Sequence, residues 1–390
     1  MITGVICEFN PLHKGHTYLL DCARVQGADT VICAMSGNYV QRGDFAVIDK
    51  FARAEMALSC GADLVLELPT PWAMSGAENF ARGGVALLNG AGCTNLLFGS
   101  ECGNLPALEK AAENLLAPDL MEDVRRELTG GVTFAAARQA ALQQRIGADA
   151  TLLESPNNTL GIEYLKAIHQ LEVNITPSTV ARKGTGYHGE AQGEYTSAEY
   201  LRKLLKNKEY DRVFSLMPSK AAAILQRETA QNRLVDIKNT ERAILAYLRR
   251  MQPEDLAVYD SSGEGLYHRL YEAIRNSATW EELLTCAKTK RYPMARIRRM
   301  ALSAYLAMEG VPEKIPYFRV LAANEKGRAH LRGLRRDGVP ILTKAADVSS
   351  LGGAAEALFR EEARRTDLYA MAYVVPALPG ADWRYTPLMK

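Results

Sequence analysis

Through the first hundred positions, apolar residues come in short unbroken runs, with helical spacing between them. Val5-Ile6-Cys7, following Ile2 and Gly4, is short enough for a buried strand. Residues 28–35 (ADTVICAM) and 63–68 (DLVLEL) repeat the pattern, and 95–98 begins a fourth run. In the gaps, Leu19, Leu20 and Ala23 share a helical face, Asp49 can cap a helix over 50–58, and Gly61 stops it. A further helix is expected over about 75–88. Strands without polar alternation, separated by helices, predict an α/β fold: a parallel sheet covered on both faces. Residues 104–150 read as polar helix broken at Gly130-Gly131. Ile162, Leu165 and Ile168 mark another helix, and a strand is expected around 178–181. From about residue 206 amphipathic helical segments recur, as at 241–251 and 262–276, with breaks at Pro253 and Pro293. The tail from Val374 reads as irregular. Two domains are therefore expected, 1–205 α/β and 206–390 mainly helical.

In such sheets ligands bind beyond the carboxyl ends of the strands. The first of those ends carries Asn10-Pro11-Leu12-His13-Lys14-Gly15-His16. Two histidines spaced H-x-G-H thus stand where a strand hands over to a helix. Free backbone N–H groups and the positive end of the helix dipole suit a phosphate there. Gly15 leaves room for a triphosphate, and the imidazoles are placed to donate to its oxygens as charge builds. The fourth strand ends at Gly99, where bare backbone can admit a base or ribose. Asn157 and Asn158 precede a helix; one serves as its cap, which leaves one amide for adenine or ribose. Arg182-Lys183-Gly184-Thr185-Gly186-Tyr187-His188 is a basic, glycine-rich loop after a strand, a second phosphate contact. Thr196 or Ser197 caps a further helix, and Arg202 lies one to two turns in, making another anion site.

Composition narrows the setting. No apolar run approaches the ~20 residues that span a bilayer, and no secretory pattern opens the chain. Seven cysteines form no C-x-x-C pair, which fits small buried thiols in a reducing cytoplasm and gives no metal site. The net charge of +2 hides a split: residues 1–205 carry 16 Lys/Arg and 23 Asp/Glu, and the remainder carries 31 and 22. A basic second half points to a polyanionic partner. Its densest cluster, Lys288, Lys290, Arg291, Arg296, Arg298 and Arg299 around Tyr292, suits an RNA backbone with base stacking. The other reading of that cluster is a helix packed by Ile297, Met300, Ala301 and Tyr305, with its arginines in solvent.

Glu8-Phe9-Asn10-Pro11-Leu12-His13-Lys14-Gly15-His16, Ser36-Gly37-Asn38-Tyr39-Val40-Gln41-Arg42-Gly43, Glu67-Leu68-Pro69, Phe98-Gly99-Ser100-Glu101, Ser155-Pro156-Asn157-Asn158 and Lys290-Arg291-Tyr292-Pro293 together resemble the bacterial tRNA(Met) cytidine acetate ligases. These belong to the wider H-x-G-H nucleotidylyltransferase superfamily, with a Rossmann-like catalytic domain. The resemblance implies that ATP and acetate give acetyl-adenylate and pyrophosphate. The acetyl group then passes to the exocyclic amine of the wobble cytidine of elongator tRNA(Met). It further implies that Ile6, Cys7, Glu8, Phe9, Asn10, Pro11, Leu12, His13, Lys14, Gly15, His16, Thr17, Tyr18 and Leu19 line the ATP site. Gly99, Asn157 or Asn158, Arg182 and Lys183 complete it, with magnesium on the triphosphate. The chain departs from the pattern at Phe9 (commonly Tyr), Leu12 (commonly Phe) and Glu199 (commonly small or hydroxyl). The last shifts the phosphate role from Ser197 towards Arg202. Two alternatives share the N-terminal site: an adenylyltransferase joining ATP to a phosphorylated cofactor precursor, and a non-catalytic RNA-binding protein.

Overall fold

The computed structural model describes residues 1–128, 132, 134–183, 195–260 and 263–390. The expected runs are strands β1 (Ile2–Cys7), β2 (Thr30–Ser36), β3 (Leu64–Leu68), β4 (Asn95–Ser100) and β5 (Thr176–Ala181). They are joined by helices α1 (Lys14–Val25), α2 (Lys50–Ser59), α3 (Ala77–Gly90) and α4 (Pro156–Gln170). Asp49 caps α2 by accepting from the Ala52 N–H, as its position implied. Helix α3 lies close on the sheet because Gly84 carries no side chain; a Cβ there would stand 2.6 Å from Ile6 Cδ1.

The sheet runs β3-β2-β1-β4-β5, all parallel. The chain steps outward from β1 through β2 to β3, then returns to β4 on the other side. The order thus reverses between β1 and β4, and the crevice beyond their carboxyl ends is where a doubly wound sheet receives its ligand.

Helix α5 (Ala198–Lys206) closes the first half, and the second half is largely helical, including Glu241–Leu248, Leu266–Arg275, Trp280–Ala287 and α6 (Met294–Tyr305). These bury a separate core around Ile244, Leu270, Leu283 and Ile297. The second half is not helical throughout, however. Residues Phe318–Ala323 form β6, wholly buried and antiparallel to β3 in the same sheet. Both β7 (Ile341–Leu342) and β8 (Leu388–Met389) pair with β6, which makes the sheet eight-stranded. Its second residue is Arg319, and the four apolar residues after it have no alternation to separate a buried strand from a buried helix, so the pattern along the chain did not reveal it. The tail likewise returns to the core, with Asp382 fully buried.

Residues 39–45 make a short antiparallel turn, Tyr39–Val40 against Asp44–Phe45, resting on α6. Gly43 has φ +72°, and a Cβ there would stand 2.5 Å from the Arg299 backbone nitrogen. Gly43→Val is expected to cost about 1–3 kcal/mol for backbone strain alone. Urea midpoints test this; an unchanged midpoint would mean that the turn can lift off α6.

Candidate active site

The turn between β1 and α1 is held from below. Arg53 of α2 is fully buried and donates to the carbonyls of Glu8 (2.7 Å), Ser36 (3.1 Å), Ile48 (3.1 Å) and Gly37. Asn10 Oδ1 accepts from the Val47 N–H at 2.8 Å, and the Asn10 carbonyl accepts from Arg202 Nη1 at 2.8 Å. Phe9 and Leu12 are buried, and the Phe9 ring meets His16 edge-on at 5.0 Å. Two of the three departures from the family pattern, Phe9 and Leu12, are therefore core-packing positions.

His13 is the N-cap of α1. Its Nδ1 accepts from the Gly15 N–H (3.1 Å), while its own N–H donates to His16 Nδ1 (3.2 Å). The rings stack at 3.7 Å. Each Nδ1 is an acceptor, so in the neutral imidazole each proton sits on Nε2. Burial, with Arg182 and Arg202 nearby, lowers the His13 pKa to about 3. Burial, His13 and the same two arginines hold His16 well below its ordinary value. The site thus presents two neutral Nε2–H donors that do not ionise near pH 7.

This neutrality has a consequence for stability. Below pH 6.5 the unfolded chain binds protons at these positions and the folded chain refuses them, down to about pH 3 at His13. Stability therefore falls as pH drops through 6.5, by about 1.4 kcal/mol per pH unit per histidine. Urea midpoints at pH 7 and 5.5 should show the wild type losing more than a His13→Asn/His16→Asn variant. Equal losses would mean that the imidazoles are charged in the folded chain.

The β4 side forms the opposite wall. Glu101 Oε1 accepts from the Asn157 N–H and Nδ2, and Oε2 from the Asn158 N–H at 2.7 Å. Asn157 Oδ1 accepts from Arg182 Nη1 at 3.1 Å. Asn158 is buried, its Oδ1 accepting from the N–H groups of Glu101 and Cys102. One asparagine was expected to cap α4, but Ser155 is its N-cap and both asparagines lie in its first turn. Instead Asn158 ties α4 to the end of β4, and Asn157 connects Glu101 to Arg182. Gly99 faces Arg182, whose Cγ would stand 3.4 Å from a Cβ there. Lys183 Nζ lies 4.2 Å from the centre of the Tyr18 ring. Residues 184–188, the rest of the expected phosphate loop, lie outside the described residues. Ser197 caps α5 by accepting from the Tyr200 N–H, and Arg202 of that helix reaches the histidine turn.

The basic cluster is divided. Lys288, Lys290 and Arg291 are exposed. Arg296 pairs with Glu264 (2.5 Å) and Asp260 (3.3 Å), Arg299 donates to the Gln41 carbonyl (3.2 Å), and Arg298 lies 3.8 Å from Asp44. The last three are turned towards their own fold. Arg53 and Glu101 were missed as site-building residues. Arg53 had a signal: with Met56, Ala57 and Cys60 it shares one face of α2, an arginine in an apolar stripe.

Residues 1–378 match the family model of the HIGH nucleotidyl transferases. The tRNA(Met) cytidine acetate ligase of Thermoanaerobacter sp. (strain X514) is 37% identical, covering 100% of this chain and 99% of the relative. That of Acetivibrio thermocellus is 34% identical over 99% and 98%. The chain belongs to the tRNA(Met) cytidine acetate ligase family. Its ligase fold is matched in crystal structures of Thermotoga maritima TmcAL. The one bound with alpha-thio ATP has TM-score 0.92 and 31% identity over 100% of this chain and 99% of that one. The apo form has TM-score 0.93 and 30% identity. The ligase match runs the length of the chain, so the return of β6 to the sheet lies within the matched fold.

Proposed function

We propose that this protein is an ATP-dependent acetate ligase that makes N4-acetylcytidine at the wobble position of elongator tRNA(Met). The observation that carries the reading is the pair of neutral Nε2–H donors at the switch point, in a chain matched end to end by ligases of this kind. Acetate is already ionised at pH 7, so it attacks the α-phosphate without a base. What adenylation needs is alignment, and stabilisation of charge on the α-phosphate and departing pyrophosphate. His13, His16, Arg182 and Arg202 are proposed to supply it, with Gly99 and Lys183 beside the nucleotide and ATP entering as its magnesium complex. Residues 1–205 carry this chemistry. The basic second half receives the tRNA, whose anticodon loop can offer an unstacked cytidine more easily than a duplex. Its site of action is the cytoplasm, and among the described residues no helix is long and apolar enough to cross a membrane.

Pyrophosphate release from ATP, measured with a panel of small carboxylates, tests the first step. Release should depend on acetate; release that needs a phosphorylated cofactor precursor instead would move the protein to the adenylyltransferase reading. For the tRNA face, Lys288→Ala/Lys290→Ala/Arg291→Ala should weaken tRNA binding and reduce the salt slope by up to about three, roughly one per lost phosphate contact. An unchanged slope would remove these residues from the interface. Arg296→Ala should act instead on stability, because it removes the ion pairs with Asp260 and Glu264.

A further inference from the structure

We propose that Glu8 is the base that takes the proton from the cytidine amine during acetyl transfer, an inference that rests on the ligase reading. Amide formation needs such an acceptor, and the histidines cannot serve. Each Nδ1 is occupied by a backbone N–H, each Nε2 carries its proton, and both rings resist a second one. The other carboxylates at this end of the sheet are committed. Both oxygens of Glu101 accept from Asn157 and Asn158, Glu67 is buried against Lys50, Glu199 pairs with Arg42 at 3.1 Å, and Asp44 faces Arg298.

Glu8 differs from all of these. It directly follows β1 at the switch point, five residues before His13, and is half-buried. Its Oε1 accepts from the Gln41 N–H at 2.8 Å, which fixes the carboxylate, and among the described residues Oε2 has no hydrogen-bond partner. The charged and titratable groups facing it are Arg53, Arg202, Tyr164 and Cys7. An anion in a site built for a triphosphate works against nucleotide binding, so its presence points to a different task. A carboxylate is the natural acceptor for the N4 amine of cytosine.

In the step, N4 attacks the acetyl carbonyl and an N–C bond forms. The bond from that carbon to the phosphate oxygen breaks, AMP leaves with the electron pair, and the N4 proton passes to Oε2 and on to water. General-base assistance of this kind contributes about 10²–10⁴-fold.

The test uses full-length Glu8→Gln, which keeps an acceptor for the Gln41 N–H. Acetyl-adenylate formed in place is offered either tRNA or hydroxylamine, a strong nucleophile that needs no base, and rates are normalised to the adenylate formed. The expected result is transfer to tRNA slowed about 10²-fold or more, with acetyl hydroxamate formed at the wild-type rate per adenylate. Transfer to tRNA at the wild-type rate would overturn the proposal, as would equal slowing with both acceptors, which would place Glu8 in nucleotide positioning. If the wild type forms no hydroxamate from ATP and acetate, the ligase reading fails and this inference with it.

Discussion

His16→Asn lowers acetate-dependent pyrophosphate release by about 10²–10³-fold, on the scale of losing one preorganised donor to a developing oxyanion. The choice of substitution follows from the hydrogen bonds. The Asn oxygen replaces Nδ1 as acceptor for the His13 N–H, so the turn survives while the Nε2 donor is lost. His16→Gln does the reverse, restoring a donor near Nε2 but stranding the His13 N–H. It should retain more activity than His16→Asn and less stability. The loss in His16→Asn should fall on kcat more than on KM, because the donor works hardest when charge has built up on the phosphate. Normal turnover in His16→Asn would show that the imidazole only caps the helix.

Lys50→Met destabilises the fold by about 3–5 kcal/mol, the scale for removing one partner of a buried ion pair. Lys50 is 1% exposed and holds Glu67 at 2.7 Å and Asp382 at 2.9 Å. Arg319 of β6 holds Asp382 at 2.9 Å and lies 3.6 Å from Glu67. Two cations and two carboxylates thus close a buried network across α2, β3, β6 and the C-terminal tail. Burial disfavours the Asp382 carboxylate, but Lys50 and Arg319 beside it more than offset that and hold its pKa below the ordinary value. Burial pushes Glu67 up. Without Lys50, Glu67 relieves the excess charge by binding a proton in the folded state. The deficit of Lys50→Met should therefore narrow as pH falls. Adding Asp382→Asn should recover part of the loss, since one cation and one carboxylate then remain. Urea titrations of the three proteins decide this. A deficit below about 1 kcal/mol in Lys50→Met would mean that the network is solvated.

What the chain reveals without its fold depends on distance along it. The strand, turn and helix around His13 and His16 are contiguous, so their chemistry is legible directly. The parallel order follows because β1 to β4 carry mainly apolar runs without polar alternation, separated by helices. The site's supports are not legible in that way. Glu101 meets Asn157 across 56 residues, Arg202 meets Asn10 across 192, and Asp382 meets Lys50 across 332. Nothing local in those residues names the partner. The same limit divides the basic cluster: Arg296 looks free along the chain until Asp260 and Glu264 fold against it. Strand β6 is hidden for another reason, since Arg319 interrupts its apolar residues and the Val320–Ala323 run fits a buried helix equally well.

The most direct test supplies labelled acetate, ATP and unmodified elongator tRNA(Met) to the purified protein, then digests the tRNA and locates the label. The account predicts labelled N4-acetylcytidine at the wobble position, dependent on ATP and accompanied by pyrophosphate and AMP. Pyrophosphate release that leaves the tRNA unlabelled, or label elsewhere in it, would contradict the account.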